Sequence, residues 1–209
     1  MLIALALALA AATLALSPVT LAVRVAPGIS ATTVAIALDE AAAIWRGPGV
    51  ALVWEFTRAG AAAGPTHGPC ARVDVVFEND ATATAFGPMP LGWIAFDALD
   101  DPAREIHLSY GNAMTLMQES YGMTIANQMT IYQRDILLGR ALGRALAHEL
   151  GHYLFRSKDH TKTGLMQAHQ SAPDFFSPYP SRFQVNATQK KLIASRLIPS
   201  PGRPSTTQD

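Results

Sequence analysis

Thr130 to Phe155 reads TIYQRDILLGRALGRALAHELGHYLF. Ile136, Leu137, Leu138, Ala141, Leu142, Ala145 and Leu146 recur at helical spacing and fill a broad apolar face, so the stretch predicts one long, mostly buried helix. Thr130 followed by Gln133 has the form of a capping box and sets the helix start at Ile131. Near the far end stand His148, Glu149 and His152, three ionisable groups on a helix otherwise built for burial. Polar groups clustered there are costly unless a ligand satisfies them.

Working outward, the preceding half changes period from helix to strand. Val19, Leu21, Val23 and Val25 alternate with Thr20, Ala22, Arg24 and Ala26, a first strand that Pro27-Gly28 stops. Ser30 then caps a helix running to about Arg46, with Val34, Ala37, Leu38, Ala41, Ile44 and Trp45 on one face and Gly47-Pro48-Gly49 at its end. Strands are predicted over Val50 to Phe56, Arg72 to Phe77, Trp93 to Phe96 and Glu105 to Ser109; a surface loop over Ala59 to Pro69 and an acidic turn over Asp97 to Pro102 separate them. Beyond the long helix come a Gly/Pro-punctuated loop to about Val185 and a short helix from Asn186, as cap, through Leu197.

The chemistry turns on His148-Glu149-Leu150-Gly151-His152. Histidines at i and i+4 leave one helix face a turn apart, so their imidazoles can converge on a tetrahedral zinc, with Glu149 beside them to handle a proton of an activated water. A catalytic zinc site needs a third protein ligand and an open position. No Glu follows Glu149, which leaves Lys158, Asp159, His160, His169 and Asp174 downstream. His160 suits best, provided the chain turns back after about Phe155, and Asp159 is the alternative. The single cysteine, Cys70, excludes a site of several thiolates, so any metal must be held by histidine and carboxylate.

Six residues after His160 comes Gly164-Leu165-Met166. With this the sequence resembles the metzincin metalloproteases, most closely the matrixin-type catalytic domain, in which a helix carries HExxHxxGxxH, a turn bearing Met lies beneath the metal and a last helix closes the domain. The order of elements over most of residues 19–197 is also similar. The resemblance implies an α+β fold with a twisted, mostly parallel sheet of about five strands. It further implies Zn2+ as cofactor, His148, His152 and His160 as ligands, Glu149 as general base and Met166 as the turn methionine. The implied activity is hydrolysis of peptide bonds by a metal-activated water. Substrate would lie extended along the edge strand Trp93, Ile94, Ala95 and Phe96. Two positions depart from the pattern: Phe155 stands where the family has its helix-ending glycine, and Lys158 where it has the third histidine. A turn two residues longer reconciles both.

His67, His107 and His169 lack ligand spacing, and Tyr153 and Tyr179 match no motif position. Cys70 lacks the Glu-Gly-Cys context of a deformylase ligand, and it reads as a loop thiol rather than a latency cysteine because a separate pro-domain has no room before residue 50. The whole chain of 209 residues carries 16 Lys+Arg against 16 Asp+Glu, which leaves no global field to attract nucleic acid or an anionic membrane. Hydrophobic residues at 49% and charged ones at 15% exclude disorder as the general state. Part of the apolar excess lies in Met1 to Val23, which has no charged side chain. Residues 1–17 therefore read as a signal peptide or an N-terminal anchor, with a buried first helix as the bland alternative. Residues 18–198 form the expected metallopeptidase domain and 199–209 a disordered tail. The expected protein is a monomer, secreted or in the cell envelope or periplasm, whose partner is a peptide or protein substrate. A non-catalytic zinc- or peptide-binding module on the same fold is the competing expectation.

Overall fold

The computed structural model describes residues 18–57, 72–80 and 90–197. In chain order the elements are β1 (Val19–Val25), α1 (Ala31–Arg46), β2 (Leu52–Phe56), β3 (Arg72–Glu78), β4 (Gly92–Phe96), β5 (Pro102–Ser109), α2 (Tyr110–Tyr121), α3 (Met123–Gln128), α4 (Ile131–Phe155), α5 (Ala172–Phe176) and α6 (Ala187–Leu197). The expected leader, the Ala59 to Pro69 loop and the expected tail lie outside the described residues.

The five strands form one sheet in the order β2-β1-β3-β5-β4. β1 pairs in parallel with β2 and β3, and β3 with β5, while β4 runs antiparallel to β5 at the sheet's edge. The fold is thus α+β with a mostly parallel sheet, as the resemblance implies. Period-two alternation decides which strand face joins the core: Leu21, Val23, Val73, Val75, Phe77, Ile94, Ile106 and Leu108 are buried with the helices.

α1 and α4 pack on one another because α4 presents glycines a turn apart. A Cβ at Gly139 would lie 2.6 Å from Ile36 Cβ and 2.9 Å from the Thr33 carbonyl, and one at Gly143 would lie 2.6 Å from the Ala37 carbonyl. Polar ties fix the register of the two helices. Ser30 and Thr33 hydroxyls donate to the buried Asp135 carboxylate at 2.9 Å each, and the Trp45 indole donates to the Ala147 carbonyl at 3.1 Å. Thr130 and Gln133 form the predicted capping box, so α4 begins where its sequence says.

Arg144 is fully buried in the middle of α4. It pairs with Glu40 of α1 at 2.8 Å, donates to the carbonyls of Asp174 and Ser177, and lies 5.0 Å from the Phe183 ring. One side chain thereby fastens the segment around α5 to the central helix. α2, α3 and α5 are additions to the predicted element list. α2 starts where the Ser109 hydroxyl accepts from the Asn112 N–H at 3.0 Å and ends at Gly122, whose φ of 81° few side chains adopt. Among the described residues, no helix is long and apolar enough to cross a membrane.

Candidate metal centre

His148 and His152 leave the last turns of α4 with ring centroids 4.8 Å apart. Each ring is oriented by a backbone carbonyl: His148 Nδ1–H donates to Leu165 at 2.8 Å and His152 Nδ1–H to Ser157 at 2.7 Å. A carbonyl can only accept, so in the neutral ring the proton sits on Nδ1 and Nε2 keeps its lone pair. The two Nε2 atoms face one another at 3.1 Å. Two lone pairs that close repel unless something positive lies between them, and ligands of a tetrahedral zinc with bonds of about 2.0–2.1 Å stand about 3.3 Å apart.

α4 ends at Arg156, whose backbone is left-handed (φ 47°, ψ 51°); its N–H and that of Ser157 turn back onto the last helical carbonyls. The reversed chain carries His160 to ring-centroid distances of 5.3 Å from His148 and 4.9 Å from His152. One nitrogen from each of the three histidines lies within 4.8 Å of the others. The donor set therefore fits a divalent metal with a preference for imidazole. Asp159 stands outside this group and its N–H donates to Ser157 Oγ. Lys158 pairs with Asp100, while Asp174 is engaged by Ser171 and Arg182.

The turn that carries Met166 packs against the last turns of α4. Thr161 N–H donates to the Met166 carbonyl at 2.8 Å and Leu165 N–H to Gln184 at 2.9 Å, while Gly164 (φ 85°) makes the bend; a Cβ there would lie 2.6 Å from the Gln184 carbonyl. Met166 is 1% exposed, and its sulfur occupies the place a Cβ at Gly151 would take. The glycine within His148-Glu149-Leu150-Gly151-His152 is what admits the sulfur under the helix.

Glu149 is buried, and the Ile94 N–H of β4 donates to its carboxylate. Burial pushes the acid up to about 8, against the pull of that hydrogen bond. Burial, together with the charges that His152 and His160 would carry, pushes His148 down to about 4, although its bond to Leu165 acts the other way. His152 and His160 are lowered as well, chiefly by burial. Burial thus favours the uncharged form of all three rings, and in His148 and His152 the Nε2 lone pairs are the ones left to bind a cation.

The predicted edge strand does stand beside this centre. Ile94 is buried and Ala95 exposed, and Phe96 meets His152 edge-on at 6.1 Å. Trp93 stacks on His107 at 5.0 Å, and His107 in turn bonds Glu78 at 2.6 Å and Glu105 at 3.1 Å. Tyr179 is exposed, Tyr153 partly buried, and His169 exposed; His67 and Cys70 lie outside the described residues. Sequence reasoning missed the Ile94 N–H and the Leu165 and Ser157 carbonyls, because a backbone group has no residue signature. It also missed Gly92, where a Cβ would lie 3.2 Å from Glu149 Cγ; a glycine inside a strand beside the motif was the available signal. No family model matches the chain, and no curated protein matches it.

Proposed function

We propose that this chain is a zinc-dependent endopeptidase of metzincin type, with His148, His152 and His160 as metal ligands and Glu149 as general base. The observation that carries the reading is the convergence of three imidazoles next to one buried carboxyl group. A structural zinc site would use a fourth protein ligand and has no need of that acid. Zinc bound there would polarise a substrate carbonyl and bring the pKa of a water to about 7.

Glu149 takes the proton of the attacking water and returns it to the leaving nitrogen. Burial raises its proton affinity towards the working pH, which suits a group that must both accept and release. The Ile94 N–H fixes the carboxylate against β4, and Gly92 leaves room for its methylenes. Among the described residues β4 is an edge strand of the sheet, and its outer side would offer backbone groups to an extended peptide, a mode of binding that is generic in sequence. Export follows if residues 1–17 act as a signal peptide, with an uncleaved N-terminal anchor as the alternative.

The test is digestion of an unstructured protein and a peptide library by the zinc-loaded full chain, with Glu149→Ala as control. Cleavage that Glu149→Ala abolishes while retaining zinc supports the reading. Stoichiometric zinc without any cleavage would make the protein a binding module instead.

A further inference from the structure

The acidic turn between β4 and β5 has no part in the chemistry above, yet it touches the metal centre's one irregular segment from both sides. Asp101 pairs with Arg156 and Asp100 with Lys158. Between those two cations lies Ser157, whose carbonyl orients His152. The Lys158 ammonium also lies 5.3 Å from the Phe96 ring, and Phe96 meets the ring of His152. The turn itself is braced from within: the Asp97 carboxylate accepts from the Leu99 and Asp101 N–H groups at 2.8 and 2.9 Å, and Asp97 N–H donates to the Asp101 carbonyl at 2.9 Å.

Backbone conformation makes the same connection. Among the described residues, the non-glycine positions with positive φ are Asp100 (61°) and Arg156 (47°), one on each side of this contact. The left-handed region is unfavourable for an arginine and persists only where surrounding contacts over-determine it. Arg156 must adopt it, because there the chain leaves α4 and doubles back to bring His160 to the other two histidines.

We infer that the Asp97–Asp101 turn is an ionic clasp for the metal-ligand loop, with Asp101 and Asp100 as positioning residues that hold Arg156 and Lys158 so that His152 stays oriented and His160 reaches the metal. The inference rests on the metal-site reading of the three histidines. The clasp does with charge what a glycine at the helix end would do through its own backbone freedom. Exposed ion pairs contribute little singly, but here two of them bracket one ligand-orienting residue, and groups that orient ligands have large effects on metal affinity.

The test is the zinc dissociation constant of the full chain, measured against a chromophoric chelator, together with the visible spectrum of the cobalt-substituted protein. Asp101→Ala and Arg156→Ala are expected to weaken zinc binding about tenfold and to alter the cobalt bands. Arg156→Gly is expected to recover most of that loss, since glycine adopts the left-handed turn unaided. In the Arg156→Gly background, Asp101→Ala should then have no further effect. Alanine variants that bind as tightly as wild type overturn the clasp, and so does Arg156→Gly binding no better than Arg156→Ala. If an Arg156 variant fails to fold, Asp101→Ala, which leaves the helix end intact, decides alone. Wild-type protein that binds no zinc removes the metal reading and the clasp together, whereas tight wild-type binding with indifferent variants removes the clasp alone.

Discussion

At the residue scale, burial acts with opposite sign on Glu149 and on the histidines. In the metal-free chain it holds a proton on the acid and keeps protons off the imidazoles, and the charge of a bound zinc would favour the carboxylate form that a general base needs. Replacing Glu149 by Gln should lower the rate of peptide cleavage by a factor of about 10²–10⁴, the usual share of a general base, while zinc content measured by elemental analysis stays at the wild-type level. The same burial gives the metal-free protein a pH signature. A carboxyl raised to about 8 in the folded state stabilises the fold fully below its unfolded value, near 4.5, and that contribution is lost as pH rises through 8. His148, lowered to about 4, contributes with the opposite sign, its stabilisation present above 6.5 and lost as pH falls towards 4. Between pH 4.5 and 6.5 the two slopes oppose one another, and from 6.5 to 8 Glu149 acts alone. Urea unfolding of the metal-free chain should therefore show stability falling by about 2 kcal/mol between pH 6.5 and 8, and the fall should vanish in Glu149→Gln.

At the scale of elements, α4 carries both the core and the site, and its glycines divide those duties. Gly139 and Gly143 admit α1, and Gly151 admits the Met166 sulfur. Gly143→Ala improves helix propensity by about 1 kcal/mol, but its methyl meets the Ala37 carbonyl, a backbone atom that cannot swing aside. A net loss of about 1–3 kcal/mol in unfolding free energy is expected; a stabilised variant would show that the helices can separate without cost. The long helix, α1 and β1 were legible because each has a periodic apolar face, while β3 showed through its β-branched residues and β4 as a short apolar run bounded by turn residues. α2 was not, since its fully buried residues are only Asn112, Ala113 and Met117, too few to make a period visible. α5 is five residues long and is held by Arg144 gripping the Asp174 and Ser177 carbonyls, a tertiary cause that no local pattern records. In the site, His148, Glu149 and His152 were legible through helical spacing alone. His160 was separable from Asp159 only once the turn at Arg156 fixed where the chain comes back.

For the whole molecule, a metal held by the three histidines would tie together parts of the chain that already meet through packing and through the hydrogen bonds of His148 and His152. The end of α4, the loop bearing His160 and the turn bearing Met166 all close on the same point, with β4 alongside. Zinc should therefore stabilise the folded chain by mass action. At a free concentration a hundred times the dissociation constant the gain is about 2.7 kcal/mol, which in a chain of this size raises Tm by about 5–10 °C. Scanning calorimetry before and after chelation would show it, and an unchanged Tm would mean that the ligands are not held by one ion. Charge balance and composition, by contrast, set only the class of globular protein and leave the site's chemistry to a handful of residues. The central claim is that three histidines hold one zinc and leave a position open. X-ray absorption at the zinc edge of the purified full chain tests it most directly. The account predicts one zinc per chain with three imidazole nitrogens and one oxygen ligand, all at about 2.0 Å; a zinc-free protein, two imidazoles, or four protein ligands around the metal would contradict it.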